Sequence, residues 1–484
     1  MLSTLNDWLW SRGLMVIIVA IGLTITVRSR FVQVRYFGRM FRVISQGLGQ
    51  GTQDDGISSF QALTLSVAGR VGAGNIAGVA IALSVGGPGA IFWMWLVGLM
   101  GMATSIFECS LAQLFKVVEP DGSYRGGPSY YIEQGLGQRW LGLVFALLML
   151  VTFGLAFSTV QAYTVATSIH DSFGVPAYLT GIILTSLIGV IILGGIKRIV
   201  TATEYVVPFM AIAYFLLALF ILGRHFTELP SIVSLIVKSA FGLEPAAGGT
   251  VGMAVLYGVR RGLFSNEAGL GSAPNVAAIA TVKHPVSQGI VQALSVFIDT
   301  LVLCSCTAAI ILVSGVDVQG AAGGVALTQV AVAQEVGAWG ERFVAIALIL
   351  FALTSIIYGY YLGENALNYF SDNNQALFSG FRVVTIGLVF WGTIQDLEIV
   401  LAFADLFMGI LAVINLSSII RLFNLGLGLI QDYDQCIASG QADPIFTPES
   451  FLQTVHPNDA LNLDFPAWSG NPANTVDETA QQAN

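Results

Sequence analysis

Apolar residues fill eleven long blocks of this chain, each bounded by charged or turn-forming clusters, as expected of membrane-crossing helices. The blocks run 14–27, 57–86, 90–117, 141–169, 177–195, 203–223, 250–281, 286–314, 342–369, 380–396 and 398–420. Two of them carry residues that a lipid-facing helix does not tolerate: Gly69–Asn75 (GRVGAGN) and Gly262–Asn275 (GLFSNEAGLGSAPN). A helix broken at that depth leaves backbone N–H and C=O groups without partners, at several kcal/mol each, unless protein or a water-filled cavity surrounds the break. Two such breaks, each opening one half of the chain, predict a secondary transporter with its substrate near the membrane midplane.

Setting aside the first block leaves ten, which divide into two sets of five that begin at the broken blocks 57–86 and 250–281. An odd number of helices per set inverts the second relative to the first. The expected fold is an all-α polytopic membrane protein: a 5+5 inverted-repeat core with one extra N-terminal helix, eleven spans in all. Its expected units are residues 1–56 (N-terminal helix and basic linker), 57–223 (first repeat), 250–420 (second repeat) and 431–484 (acidic tail).

Composition agrees with a membrane protein, since 55% of the 484 residues are hydrophobic and only 10% charged, against about 25% charged in soluble chains. The first block lacks a basic stretch before it. Its arginines follow, at Arg28, Arg30, Arg35, Arg39 and Arg42, which favours a retained helix over a cleaved signal. Placing that linker in the cytoplasm puts thirteen of the twenty Lys and Arg on one side, four on the other and three within broken blocks. The N-terminus is therefore expected outside and the C-terminus inside. Residues 431–484 contain no Lys or Arg and eight acids, so they hold minus eight of the net charge of minus nine. A solvated, weakly ordered extension is the expectation there, with a regulatory lid over the inner mouth as the alternative. Four cysteines and four scattered histidines show neither a disulfide framework nor metal-ligand spacing.

A zwitterion and a small cation need complementary partners, and a broken helix supplies both. The half-helix that starts after the first break points N–H groups and a positive dipole end at a carboxylate, which makes Gly72, Ala73, Gly74 and Asn75 candidate substrate contacts. The half-helix that ends there offers the carbonyls of Ala68 and Val71 to a cation. In the second break, Phe264, Ser265 and Asn266 are expected to form the facing wall. The plain alternative is a close helix crossing, which small residues also permit. Buried charges need partners, and Glu267 with Arg260 or Arg261, or Asp299 with Arg70, are the expected internal pairs.

Val71–Val79 (VGAGNIAGV), Gly86–Trp95 (GGPGAIFWMW), Gly101–Glu108 (GMATSIFE), Arg261–Pro274 (RGLFSNEAGLGSAP) and Phe297–Thr300 (FIDT) closely resemble the alanine or glycine:cation symporter family. Arg125–Tyr131 (RGGPSYY), Val207–Ala211 (VPFMA) and Ala404–Asp405 extend the resemblance, which covers about 28–424. It implies a leucine-transporter-type fold with one added N-terminal helix, and carriage of small neutral amino acids with sodium. It further implies a sodium site in which the hydroxyls of Thr354 and Ser355 and the carbonyl of Phe351 join those of Ala68 and Val71. Gln161 matches a family glutamine that faces the substrate. Three positions depart from the commonest pattern: Arg70, Ala73 where Thr or Ser is usual, and Gly359 where Trp is frequent. A glycine at 359 and an alanine at 73 imply a roomier pocket, open to a somewhat larger neutral amino acid.

The reading is a sodium-driven importer of a small neutral amino acid in a bacterial-type inner membrane, performing no bond chemistry. Its partners are the amino acid, sodium and the bilayer, with no nucleic acid and no cofactor beyond the coupling ion. A proton-coupled carrier titrating Asp299, Glu108 or Glu267 is the first alternative, and a membrane channel the second. No clustered nucleophile, metal set or cofactor motif supports an enzyme.

Overall fold

The computed structural model describes residues 10, 12–49, 56–243, 250–318, 324–371, 373–395, 398–455 and 463–468. Among them the regular structure is helical except for a two-stranded antiparallel hairpin, β1 (Val117–Val118) and β2 (Tyr124–Arg125). Helix α1 (Arg12–Arg28) leads into α2 (Phe37–Gly49). The first broken block then appears as α3 (Ser59–Arg70) and α4 (Gly74–Gly86), bent by 51°. Next come α5 (Gly89–Leu114), α6 (Pro128–Leu136), α7 (Arg139–Phe173), α8 (Ala177–Ile192), α9 (Gly195–Arg224) and α10 (Leu229–Ala240). The second broken block is α11 (Val251–Asn266) followed by the short α12 (Ala273–Ala277). The chain continues through α13 (Pro285–Val313), α14 (Val325–Val336), α15 (Ala338–Ser371), α16 (Gln375–Thr393), α17 (Glu398–Arg421), α18 (Phe423–Ala438) and α19 (Pro448–Thr454).

Among the described residues, seven helices are long and apolar enough to cross a bilayer: α5, α7, α9, α13, α15, α16 and most of α17. The bent pair α3–α4 makes an eighth. This is a multi-pass membrane protein. The expected spans 14–27 and 177–195 fall on shorter helices, of 17 and 16 residues. Helices α10 and α14 occupy connections that hydropathy alone left as loops.

Burial separates posts from walls. Helices α5 and α15 are 72% and 78% buried over their apolar windows, whereas α9 and α16 are 33% buried and turn residues such as Phe209, Phe220 and Val383 outward. Such an apolar exterior suits lipid rather than water. The two broken spans pack against the buried posts, α3 on α15 and α11 on α5.

Among the described residues three segments widen into π-helical turns: Gly74–Gly78 at the start of α4, Leu150–Phe157 in α7 and Phe297–Cys304 in α13. π-Turns interrupt the regular ladder and gather at functional sites. The first and third meet, because Asn75 reaches Asp299.

The expectation of a solvated extension does not hold for the described part of the tail. Asp432, Phe446, Phe451, Phe465 and Trp468 are buried, because aromatic residues interleave with the acids and find an apolar seat on the helix ends. The acids Asp459, Asp477 and Glu478, and residues 50–55 of the basic linker, lie outside the described residues.

Candidate functional site

The first break begins where Val71 leaves the helical conformation (φ −80°, ψ 88°), which turns its carbonyl out of the helix ladder. Asn75 then folds back, and its Oδ1 accepts from the Gly72 N–H at 3.0 Å. Its Nδ2 donates to Asp299 Oδ1 at 2.5 Å. Asn75 is thus committed at both ends to holding the break, and the Gly72 N–H is committed with it. Helix α4 starts after Ala73 with no side-chain cap, so the Ala73–Gly74 end keeps the anion-facing character expected of a helix N-terminus.

The second break reaches the same carboxylate. Ser265 Oγ donates to Asp299 Oδ2 at 2.6 Å, and Thr300 Oγ1 donates to that oxygen at 2.7 Å. Asp299 on α13 therefore ties the two breaks together. Beyond Asn266 the backbone unwinds through Glu267 (φ 54°), Gly269 (φ 85°) and Gly271 (φ 83°), conformations in which glycine meets no Cβ penalty. Glu108 holds this loop by accepting the Gly269 N–H at 3.1 Å, and Asn415 donates both to Glu108 at 2.9 Å and to the Gly269 carbonyl at 3.0 Å. Glu267 accepts from Ser272 at 2.5 Å and from the Tyr358 hydroxyl at 3.2 Å. The Tyr358 ring lies where a Cβ on Gly69 would sit, so this tyrosine touches both broken spans.

The expected acid–arginine pairs do not form. Arg260 bonds Asp405 on α17 at 2.7 Å, and Arg70 is held by the Gln292 carbonyl at 3.1 Å, by Ser105 at 3.3 Å and by Ser295. Arg261 lies over the Phe264 ring at 5.7 Å. Spacing along one helix could not reveal these partners, because hydroxyls and a backbone carbonyl of α5 and α13 hold Arg70 and a carboxylate of α17 holds Arg260.

One side of the first break faces a small group of residues from three helices. A Cβ on Gly72 would lie 2.8 Å from Ser355 Oγ and 3.1 Å from Gln161 Nε2. A Cβ on Gly74 would meet the Phe264 ring at 3.7 Å. Gln161 is 3% exposed, and its Oε1 has no hydrogen-bond partner among the described residues. Phe157, one turn before Gln161, packs its ring 6.3 Å from that of Phe264. Sequence reasoning missed Phe157 as a wall residue, although it opens the Phe157–Ala162 segment that carries Gln161.

Of the expected cation ligands, Ser355 and Ala68 are in contact, the hydroxyl donating to the carbonyl at 3.1 Å. Thr354 bonds the carbonyls of Leu350 and Phe351 at 3.1 and 3.0 Å and lies 3.8 Å from Met210 Sδ. Val71 and Phe351 are both buried. Among the described residues no group of three His, Cys, Asp or Glu side chains could hold a metal ion. A cation here would rest on neutral hydroxyl and carbonyl oxygens.

Two expected contacts point elsewhere. Asn266 turns toward α5, where its Oδ1 would lie 3.4 Å from a Cβ on Gly101, and it lines a narrow space with Ile18, Thr104 and Leu416. Successive helix positions are about 100° apart, so Ser265 and Asn266 cannot both face the first break. Gly359 faces the α7 backbone, where a Cβ would come 2.7 Å from the Phe153 carbonyl. It serves close packing of α15 on α7 and adds no pocket volume.

The family model of the sodium:alanine symporters matches residues 1–448. The probable sodium/glutamine symporter GlnT of Bacillus subtilis is 43% identical over 441 residues, covering 91% of each chain. The amino-acid carrier protein AlsT of the same organism is 44% identical over 91% of this chain and 93% of its own. The sodium/alanine symporter AgcS of Methanococcus maripaludis is 34% identical over 87% and 94%. A solved structure of a mutant manganese transporter from Eremococcus coleocola matches with a TM-score of 0.51 at 12% identity, over 82% of this chain and 90% of that one, a likeness of fold alone. The Asp299-centred junction of two broken helices thus sits in an amino-acid transporter, not an enzyme, and the chain belongs to the sodium:alanine symporter family.

Proposed function

We propose that this transporter carries a small neutral amino acid together with sodium, and that the substrate sits between the first break and the Gln161–Phe264 wall. The observation that carries this reading is the buried Gln161 amide, whose Nε2 lies beside Gly72 and whose Oε1 is an acceptor without a hydrogen-bond partner among the described residues. A buried acceptor left unmade costs about 1–3 kcal/mol, and an ammonium donor would satisfy it. The uncapped start of α4 at Ala73–Gly74 then receives the carboxylate. The substrate side chain lies against Phe264 and Phe157. Sodium rests on the carbonyls of Ala68, Val71 and Phe351 and the hydroxyls of Ser355 and Thr354, beside the substrate and between the first broken helix and α15. Its binding there favours the state that binds the amino acid tightly.

In this reading residues 57–223 and 250–420 are inverted five-helix repeats behind an N-terminal helix and basic linker (1–56), eleven spans in all. The N-terminus lies outside and the acidic 431–484 segment in the cytoplasm of a bacterial-type inner membrane. Alternating access is rocking of one bundle about the fixed site. With Gly359 outside the pocket, room for a larger side chain rests on Ala73 alone. The similarity to a probable sodium/glutamine symporter supports a substrate larger than alanine.

Proton coupling is the second reading. It is favoured by the buried carboxylates Glu108, Glu267 and Asp299 at the breaks, and two relatives are named sodium/proton-dependent alanine carriers, one putatively. Counterflow in proteoliposomes with a panel of amino acids decides between them. Sodium-dependent exchange of glycine, alanine or glutamine supports the symporter, whereas exchange that persists without sodium but collapses with the pH gradient supports the proton carrier.

A further inference from the structure

The family match ends at residue 448, yet the chain beyond it is seated on the core. Trp468 is 1% exposed, and its Nε1 donates to the Gln113 carbonyl at 3.1 Å. Its ring stands 4.7 Å from the Lys116 ammonium and 5.0 Å from the Phe446 ring. Phe465 packs between Phe115 and Phe451, with ring centroids 5.9 Å from each.

Those anchors hold one short loop. Gln113 Nε2 and Lys116 Nζ donate to the Ala280 carbonyl at 2.9 and 3.2 Å. From the other side the Phe446 N–H donates to the Lys283 carbonyl at 2.9 Å, Lys283 pairs with Asp443 at 2.8 Å, and His284 bonds Asp432 at 3.0 Å. Residues 280–284 follow α12, the last helix of the second broken span. They also pair with the start of the first, because Ala280 bridges Ile57 in parallel and the Thr281 N–H donates to the Ile57 carbonyl at 2.9 Å. One residue later Ser58 caps α3.

We propose that residues 432–455 and 463–468 form an intramolecular strap that keeps the Ile57–Ala280 junction closed and thereby limits how often the transporter opens at that face. The strap rests on the alternating-access reading, in which α3 and the loop after α12 must part. It fixes the loop to α5 and α18, so the loop cannot follow α3 and the junction must break whenever α3 swings. Its aromatic anchors supply the seat, and its Lys283–Asp443 ion pair is partly exposed, with 36–40% of the two side chains accessible, hence open to screening by salt.

Hydrogen exchange at the peptide carrying the Thr281 amide, in full-length protein in lipid nanodiscs, reads the junction directly. Trp468→Ala is expected to speed that exchange by about fivefold or more, the low end of ordinary coupling, and to raise initial amino-acid uptake in proteoliposomes. Unchanged exchange and unchanged uptake overturn the strap. Should Trp468→Ala fail to fold, Asp443→Asn takes its place in both measurements: faster exchange with raised uptake supports the strap, and no change in either overturns it. A wild-type protein that transports no amino acid overturns the transport reading, while the exchange measurement still decides the strap.

Discussion

Asn75 and Asp299 lie 2.5 Å apart across two helices, and the same asparagine caps the Gly72 N–H. This pair makes the first break a defined turn rather than a frayed end. Ser265 and Thr300 complete the shell around Asp299. Asp299→Ala leaves these donors buried and unpaired at about 1–3 kcal/mol each. The expected result is a lowered Tm and loss of uptake, with Asp299→Asn losing less stability. A fully stable Asp299→Ala protein with normal uptake would show that the breaks hold their shape without this carboxylate.

The two glycines of the first break are not equivalent. Ser355 and Gln161 crowd Gly72 within 3.1 Å of any added Cβ, whereas Gly74 has only the Phe264 ring edge at 3.7 Å. Gly72→Ala is expected to abolish uptake and Gly74→Ala to preserve most of it. Gly74→Val, which fills the gap to Phe264, is expected to reach the membrane yet bind no substrate. Binding assays on the purified variants check the order, and a Gly72→Ala protein as active as Gly74→Ala would refute it.

Both breaks were legible in the sequence because glycines and polar residues inside an apolar block are costly in lipid, so they mark places where protein or water surrounds the backbone. Gln161 and Ser355 were legible only through resemblance, which fixes a position along a helix. Facing is another matter. Asn266 and Gly359 both sit in segments that line the breaks, yet one turns toward α5 and the other toward the Phe153 carbonyl, since a helix aims neighbouring side chains about 100° apart. The partners of Glu108, Glu267 and Arg70 were equally hidden, because each is satisfied from another helix by a backbone group, an amide or a hydroxyl. Charge counting read the tail as solvated and missed the aromatic residues between its acids.

Sodium dependence separates Ser355 from Thr354. Ser355 reaches across to Ala68, while Thr354 bonds carbonyls of its own helix and lies against Met210. Ser355→Ala is expected to raise the half-saturating sodium concentration more than Thr354→Val does, with little change in substrate preference. Identical sodium curves for wild type and both variants would remove these hydroxyls from the ion site.

Gly359→Trp places an indole where a single Cβ already meets the Phe153 carbonyl at 2.7 Å. Overpacking of a tight contact costs about 1–3 kcal/mol or more. Uptake of glycine, alanine and larger amino acids should fall together, along with Tm. Selective loss of the larger substrates would return Gly359 to the pocket.

His284 gives the strap a pH dependence. Its Nδ1 accepts the Val286 N–H at 3.1 Å, so the neutral ring carries its proton on Nε2 and donates it to Asp432. Tyr433 and Phe446 enclose the ring at 4.8 and 5.5 Å, and Arg39 lies over Tyr433, 5.6 Å from its ring centroid. Burial holds the His284 pKa below its ordinary 6.5, with Asp432 only partly opposing that shift. The unfolded chain therefore binds this proton more readily than the folded one. The stability tied to neutral His284 is present above about pH 6.5 and is lost as pH falls through that value and below. Wild type should lose more Tm between pH 8 and pH 5.5 than His284→Gln, whose amide keeps a donor toward Asp432 but does not titrate. An equal loss in both proteins would show that other groups carry the acid sensitivity.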